Sequence, residues 1–93
     1  MLRVFSKRAK PYSESYARMI GEEIGVKWDE VDFPVSEFAI GMQIEWEHGP
    51  HDPETDVTGN DIHAIGKVTW AHLKEIPDYY TRLVKMEEEA GVD

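Results

Sequence analysis

Residues 34–48 read PVSEFAIGMQIEWEH, and the placing of their apolar side chains decides the fold class. Pro34 suits a first helical turn, because an N–H there has no intrahelical partner. At 3.6 residues per turn, Val35, Phe38, Ala39, Met42 and Trp46 share one face, and Ile40 and Ile44 lie on nearly the opposite side. A helix that is apolar on two sides is covered on both, by its own domain or by a second copy of the chain. Gly41, in its middle, lowers helix propensity by about 1 kcal/mol relative to Ala, and it lets a neighbour approach closely. The stretch therefore predicts the central helix of an all-α bundle, with self-association through it.

Three further helices fit around this one. Ser13 can cap a helix running to Ile24, where Tyr16, Met19, Ile20 and Ile24 recur at helical spacing and Gly25 suits a left-handed end. The connector VKWDEVDF (residues 26–33) offers Trp28, Val31 and Phe33 to the core. After the acidic, turn-rich loop GPHDPETDV (residues 49–57), Thr58 with Asp61 resembles a capping box. The third helix then runs to about Ile76, with Ile62, Ile65, Gly66, Thr69, Leu73 and Ile76 inward. Pro77 starts a fourth helix ending near Ala90, on which Tyr79, Leu83, Met86 and Ala90 form one stripe. No alternating segment requires a strand; the one short stretch that could add to one is residues 2–5. The expectation is a single compact domain of about four short helices over residues 11–93, preceded by a basic, flexible arm of residues 1–10.

Composition agrees. The chain has 93 residues, 41% of them apolar and 31% charged, enough for one core and not for two. The longest apolar runs span only a few residues, which predicts neither a transmembrane helix nor a signal-peptide core. There is no cysteine, so disulfides, zinc fingers, iron–sulfur clusters and thiol catalysis are excluded. A cytoplasmic location is the default. The net charge of −9 is uneven: residues 1–10 carry four cations and no acid, whereas residues 11–93 carry six Lys and Arg against nineteen Asp and Glu. Such a body repels phosphate backbones, so nucleic acid is not the expected partner.

Two of the helices carry mirrored ionisable pairs. Glu45-Trp46-Glu47-His48 has Glu-x-x-His spacing, and His72-Leu73-Lys74-Glu75 has His-x-x-Glu spacing. Residues three apart share a side of a helix, so each pair can converge on one point. Glu45 and His72 stand at the edges of their apolar stripes. Together Glu45, His48, His72 and Glu75 would suit a divalent metal held by nitrogen and oxygen, such as Zn, Fe or Mn, with Glu47, Tyr79 and Tyr80 as supporting groups. Glu-x-x-His builds the di-iron centres of four-helix bundles. Those bundles, however, need longer helices and two bridging carboxylates, which here only a dimer could supply. The alternative is structural: Glu45 and His48 bond each other at a solvated edge, and His72 donates to Glu45 or to a tyrosine hydroxyl.

Other motifs fall away. Asp52, Glu54 and Asp56 alternate like the opening of a calcium loop, but Val57 replaces its glycine and His63 its final glutamate. His51 and His63 read as surface residues, and Glu87, Glu88 and Glu89 as a solvated face. No nucleophile elbow, phosphate loop or zinc-protease motif is present, so the reading leans away from an enzyme.

Residues 38–49 (FAIGMQIEWEHG), 57–60 (VTGN) and 66–86 (GKVTWAHLKEIPDYYTRLVKM) resemble DUF5661, an uncharacterised family of small bacterial and phage proteins. Its members carry similar G-M-x-V-E-x-E-H-G and A-H-L-x-E-x-P-D-Y-Y-x-x-L segments. The matching positions are Gly41, Glu45, Glu47, His48, Gly49, His72, Leu73, Glu75, Pro77, Tyr79 and Tyr80. Trp46 and Trp70 stand where members more often have smaller aliphatic residues. The resemblance implies that Glu45, His48, His72 and Glu75 group as one site, and it implies no particular chemistry. Two functions are therefore expected in competition. One is a small metal-binding helical protein. The other is an acidic interaction module, of phage or mobile-element type, that binds a basic protein and holds no metal.

Overall fold

The computed structural model describes residues 12–91, and among them stand four helices and no strand: α1 (Glu14–Ile24), α2 (Val35–His48), α3 (Ile62–Glu75) and α4 (Tyr79–Glu89). The basic segment 1–10 and the stretch 2–5 lie outside the described residues.

Each boundary has a local chemical cause. The Ser13 hydroxyl accepts the Tyr16 N–H at 3.2 Å and starts α1. Gly25 ends it with φ of 109°, a left-handed conformation that side chains resist, and the Val26 N–H returns to the Gly21 carbonyl at 2.8 Å. Pro34 stands just before α2 rather than within it. The expected Thr58 capping box gives way to Asp61 alone, whose carboxylate accepts the His63 and Ala64 N–H groups at 2.9 and 3.2 Å. α3 thus begins at Ile62, because a carboxylate satisfying two orphan donors makes the better cap.

α2 lies at the centre and contacts α1, α3 and α4, while α1 and α4 flank the α2–α3 pair on separate sides. Phe38, Met42, Ile44, Ile65, Leu73, Thr69 and Tyr80 are the largest side chains fully removed from solvent. Trp28 closes one end, its ring edge-on to Phe33 and Phe38 at 5.7 and 5.5 Å. Its indole N–H donates to the Arg18 carbonyl at 3.2 Å. The connector therefore packs as its apolar residues predict. Ile44, on the second apolar side of α2, is 0% exposed within one chain. The two-sided pattern of α2 is satisfied without a second copy.

Gly41 explains the tightness of this centre. A Cβ there would lie 2.4 Å from Cε2 of Tyr80 and 2.6 Å from Cγ2 of Thr69. Only a residue without a side chain lets α3 and α4 both come this close to α2.

The fourth helix corrects the sequence reading. Its buried residue is Tyr80, with Leu83, Val84 and Glu87 half-buried, whereas Met86 is 55% exposed and Ala90 is also exposed. Ile76, expected inside, leaves α3 in extended conformation (φ −137°) and is 40% exposed. The expected stripe is thus divided: Tyr79 and Leu83 pack partly against the core, and Met86 and Ala90 face outward. The cause is Tyr80: its ring fills the space over Gly41 and its hydroxyl reaches a polar partner on α2.

Candidate functional site

Three helices each contribute one polar side chain to a single point: Glu45 from α2, His72 from α3 and Tyr80 from α4. The Tyr80 hydroxyl lies 2.6 Å from Oε2 of Glu45, and His72 Nδ1 lies 2.9 Å from that hydroxyl and 3.0 Å from the same Oε2. These distances fix the protons. A carboxylate only accepts, so the phenol gives its single proton to Glu45. Nδ1 must then carry the imidazole proton, shared between Glu45 and the phenolic oxygen. The Nε2 of a neutral His72 is left bare.

Burial strengthens the arrangement. The side chain of Glu45 is 14% exposed and that of His72 34%, and Tyr80 is wholly buried. Burial, then the adjacent Glu45 carboxylate and the hydrogen bond to it, push the Tyr80 hydroxyl far above its ordinary pKa. These causes favour the neutral phenol, the form that donates to Glu45. Tyr79 stacks on the His72 ring at 4.5 Å with planes 9° apart, fixing the imidazole from its face.

The remaining expected residues sit elsewhere. His48, half-buried, places Nε2 in the interior without a hydrogen-bond partner, and Oε1 of Glu87 is in the same position. Burial raises the pKa of Glu87 above the usual carboxylate range, and the nearby His48 pulls it back. Glu87 is seven residues beyond Tyr80, about 10 Å along a helix. Glu75 is exposed on the last turn of α3. Glu47 is buried and accepts from the Gln43 amide at 3.3 Å. Among the described residues, no group of three or more His, Asp or Glu is arranged to hold a metal ion. His51 lies exposed against Trp46, with ring centres 5.0 Å apart. His63 ties α3 to α1 through Glu23 at 2.6 Å. The loop acids Asp52 and Asp56 bind backbone N–H groups of their own turns, which orders the loop.

One residue was missed from the sequence. Glu37 is 6% exposed. Its two carboxylate oxygens accept the backbone N–H and the hydroxyl of Thr81 at 2.8 and 2.7 Å. It thereby caps α4 from α2, since Asp78 makes no cap bond and instead pairs with Arg82 at 2.7 Å. The available signal was a carboxylate between Val35 and Phe38, one turn into an otherwise apolar face.

The architecture is that of a small helical domain with a three-helix polar knot. A family model described as a protein of unknown function (DUF5661) matches residues 17–89, and the chain belongs to that family. No curated protein and no solved structure matches it.

Proposed function

We propose that this chain is an acidic interaction module that captures a basic protein surface, and that the Glu45–His72–Tyr80 knot holds its helices in register. The observation that carries the reading is the placing of charge. Residues 12–91 hold eighteen Asp and Glu against six Lys and Arg, and thirteen of those carboxylates are exposed. A field of this sign steers a cationic partner and repels nucleic acid. The knot supports the structural half of the reading, because Glu45 Oε2, the Tyr80 hydroxyl and His72 Nδ1 are all partnered within it. Titration with a lysine-rich peptide at low and high salt tests it. Binding that weakens steeply with salt is expected, and absence of binding at low salt removes the proposal.

One observation favours a second reading, divalent metal binding among Glu45, His48, His72 and Glu75. A histidine whose Nδ1–H is held by a carboxylate presents Nε2 as a lone pair, the arrangement that metal-binding histidines use. In this reading His72 is the ligand, Glu45 its orienting carboxylate and Glu75, one turn on, the second donor. Zn, Fe or Mn would fit this chemistry. Elemental analysis of protein purified without chelator, beside His72→Ala, decides it. Near-stoichiometric metal lost in the variant supports it, and no metal in either ends it.

A further inference from the structure

The segment of residues 2–10 carries Arg3, Lys7, Arg8 and Lys10 with no acid, and Leu2, Val4 and Phe5 beside them. It leads into the described structure at Tyr12, just before α1. An open groove of about 780 Å³ begins at that point. Glu14, Arg18 and Glu22 of α1 line it, together with Lys27, Trp28 and Asp29 of the connector. Trp28 lies against α1, with its indole N–H on the Arg18 carbonyl and its ring 2.4 Å from where a Cβ of Gly21 would stand. The surroundings are acidic. Between residues 14 and 32, Glu14, Glu22, Glu23, Asp29, Glu30 and Asp32 stand against Arg18 and Lys27, a net charge of −4. All six carboxylates belong to exposed residues. Among the described residues His63 meets Glu23, and no Lys or Arg pairs with the other five.

We propose that residues 2–10 dock along this groove and so cover the acidic face that a basic partner would take. The docking stands on its own, and the competition rests on the capture reading above. Charge argues for it first: the +4 of the segment meets the −4 of residues 14–32. Position argues for it next, because Glu14, two residues beyond Tyr12, already lines the groove. Reach allows it. Tyr12 to Gly21 is about 14 Å along a helix, and the seven residues from Phe5 to Tyr12 span up to about 23 Å when extended. Phe5 therefore reaches Trp28 with slack and adds an aromatic ring to the Trp28, Phe33 and Phe38 cluster. Arg18 and Lys27 oppose the cations of the segment, which keeps the docking reversible. A tethered segment competes with a free partner at an effective concentration fixed by its tether. The basic start of the chain thus sets a threshold that a captured surface must exceed.

Because the chain has no cysteine, Ser6→Cys gives a single attachment point for a nitroxide label. The readout is the broadening of the tryptophan indole N–H signals in the full chain. At low salt Trp28 should broaden about threefold more than Trp46, or beyond, since Trp46 lies on α2 about 16 Å past the groove residue Val35. The preference should vanish at high salt. It should vanish also when Arg3→Gln, Lys7→Gln, Arg8→Gln and Lys10→Gln are combined, whereas a segment merely tethered at Tyr12 would keep it. Adding a lysine-rich peptide should restore the Trp28 signal, and the quadruple variant should bind that peptide about threefold tighter. Equal broadening of Trp28 and Trp46, or a Trp28 preference indifferent to the four substitutions, overturns the docking. A peptide that binds without restoring Trp28 overturns the shared face. A peptide that binds neither protein removes the capture reading and the competition with it, and the broadening alone then decides the docking.

Discussion

Two places along α4 pair it with α2, and they are built in opposite ways. Near its start, Tyr80 meets Glu45 and His72, and every hydrogen-bonding atom at the meeting point has a partner. Two turns later, Glu87 lies near His48, and Oε1 of one and Nε2 of the other are buried without any. In a low-dielectric interior, a satisfied polar network strengthens itself, and an unsatisfied group keeps its whole desolvation cost. The same pair of helices is therefore stitched at one end and held by packing alone at the other. Glu37, capping α4 through Thr81, adds to the stitched end.

Tyr80→Ala should break the comparison hardest. It empties the largest fully buried side chain and should cost about 3–5 kcal/mol in urea unfolding. Should it cost no more than Glu87→Ala, the two ends are equivalent and the contrast is lost. Gly41→Ala comes next. The added methyl would meet the Tyr80 ring at 2.4 Å, and overpacking of that kind costs about 1–3 kcal/mol. The loss should show both in the unfolding midpoint and in the near-ultraviolet signal of Tyr80. A sharper comparison replaces a carboxylate by leucine at each end. Glu45→Leu strands the Tyr80 hydroxyl and His72 Nδ1 with only each other and should destabilise by about 1–3 kcal/mol. Glu87→Leu removes a buried oxygen that has no partner and should leave stability unchanged or raise it by up to about 1 kcal/mol. The same substitution, at the two ends of the pairing of α2 with α4, is expected to have different effects in thermal melts.

How much of this was legible beforehand follows the same division. The two-sided pattern of α2, the cap at Ser13, the left-handed Gly25 and the tucked connector are local or periodic signals, and they read correctly. The alternative that His72 bonds Glu45 or a tyrosine hydroxyl met both partners, at 3.0 and 2.9 Å. The exposure of Ile76 and Met86 was not legible. Tyr79 and Tyr80 are adjacent, about 100° apart on a helix, and either stripe was compatible with the spacing. What chose between them was the fit of the Tyr80 ring over Gly41, a contact between residues 39 positions apart. Glu37 was missed for a related reason. A glutamate in a first turn ordinarily serves its own helix, and nothing in the sequence says that α4 will bring its N-terminus to that carboxylate. The spacing of Glu45, His48, His72 and Glu75 suggested one site, but it carried no information on how far α4 would thread between them.

The pH dependence of stability separates the two ends with smaller effects. At Tyr80 the folded-state pKa is raised by burial and by Glu45. The unfolded phenol begins to ionise near its ordinary value, about 10, so the stability present below that pH is lost at about 1.4 kcal/mol per unit above it. Tyr80→Phe should lose less stability per unit in that range, which alkaline melts of the two proteins would reveal. The smallest effect belongs to Glu87, and it runs against the usual carboxylate behaviour. Its pKa is raised by burial despite the pull of His48, so the folded state binds its proton more readily than the unfolded one. The contribution is then greatest below the ordinary value of 4.5 and is lost as pH rises through the raised one. Melting temperatures of the native chain and Glu87→Gln, compared from neutral pH downward, should move in favour of the native chain on acidification. The reverse trend would mean that His48 holds Glu87 charged. The far end would then be satisfied by a partner as the near one is, and the asymmetry along α4 would disappear.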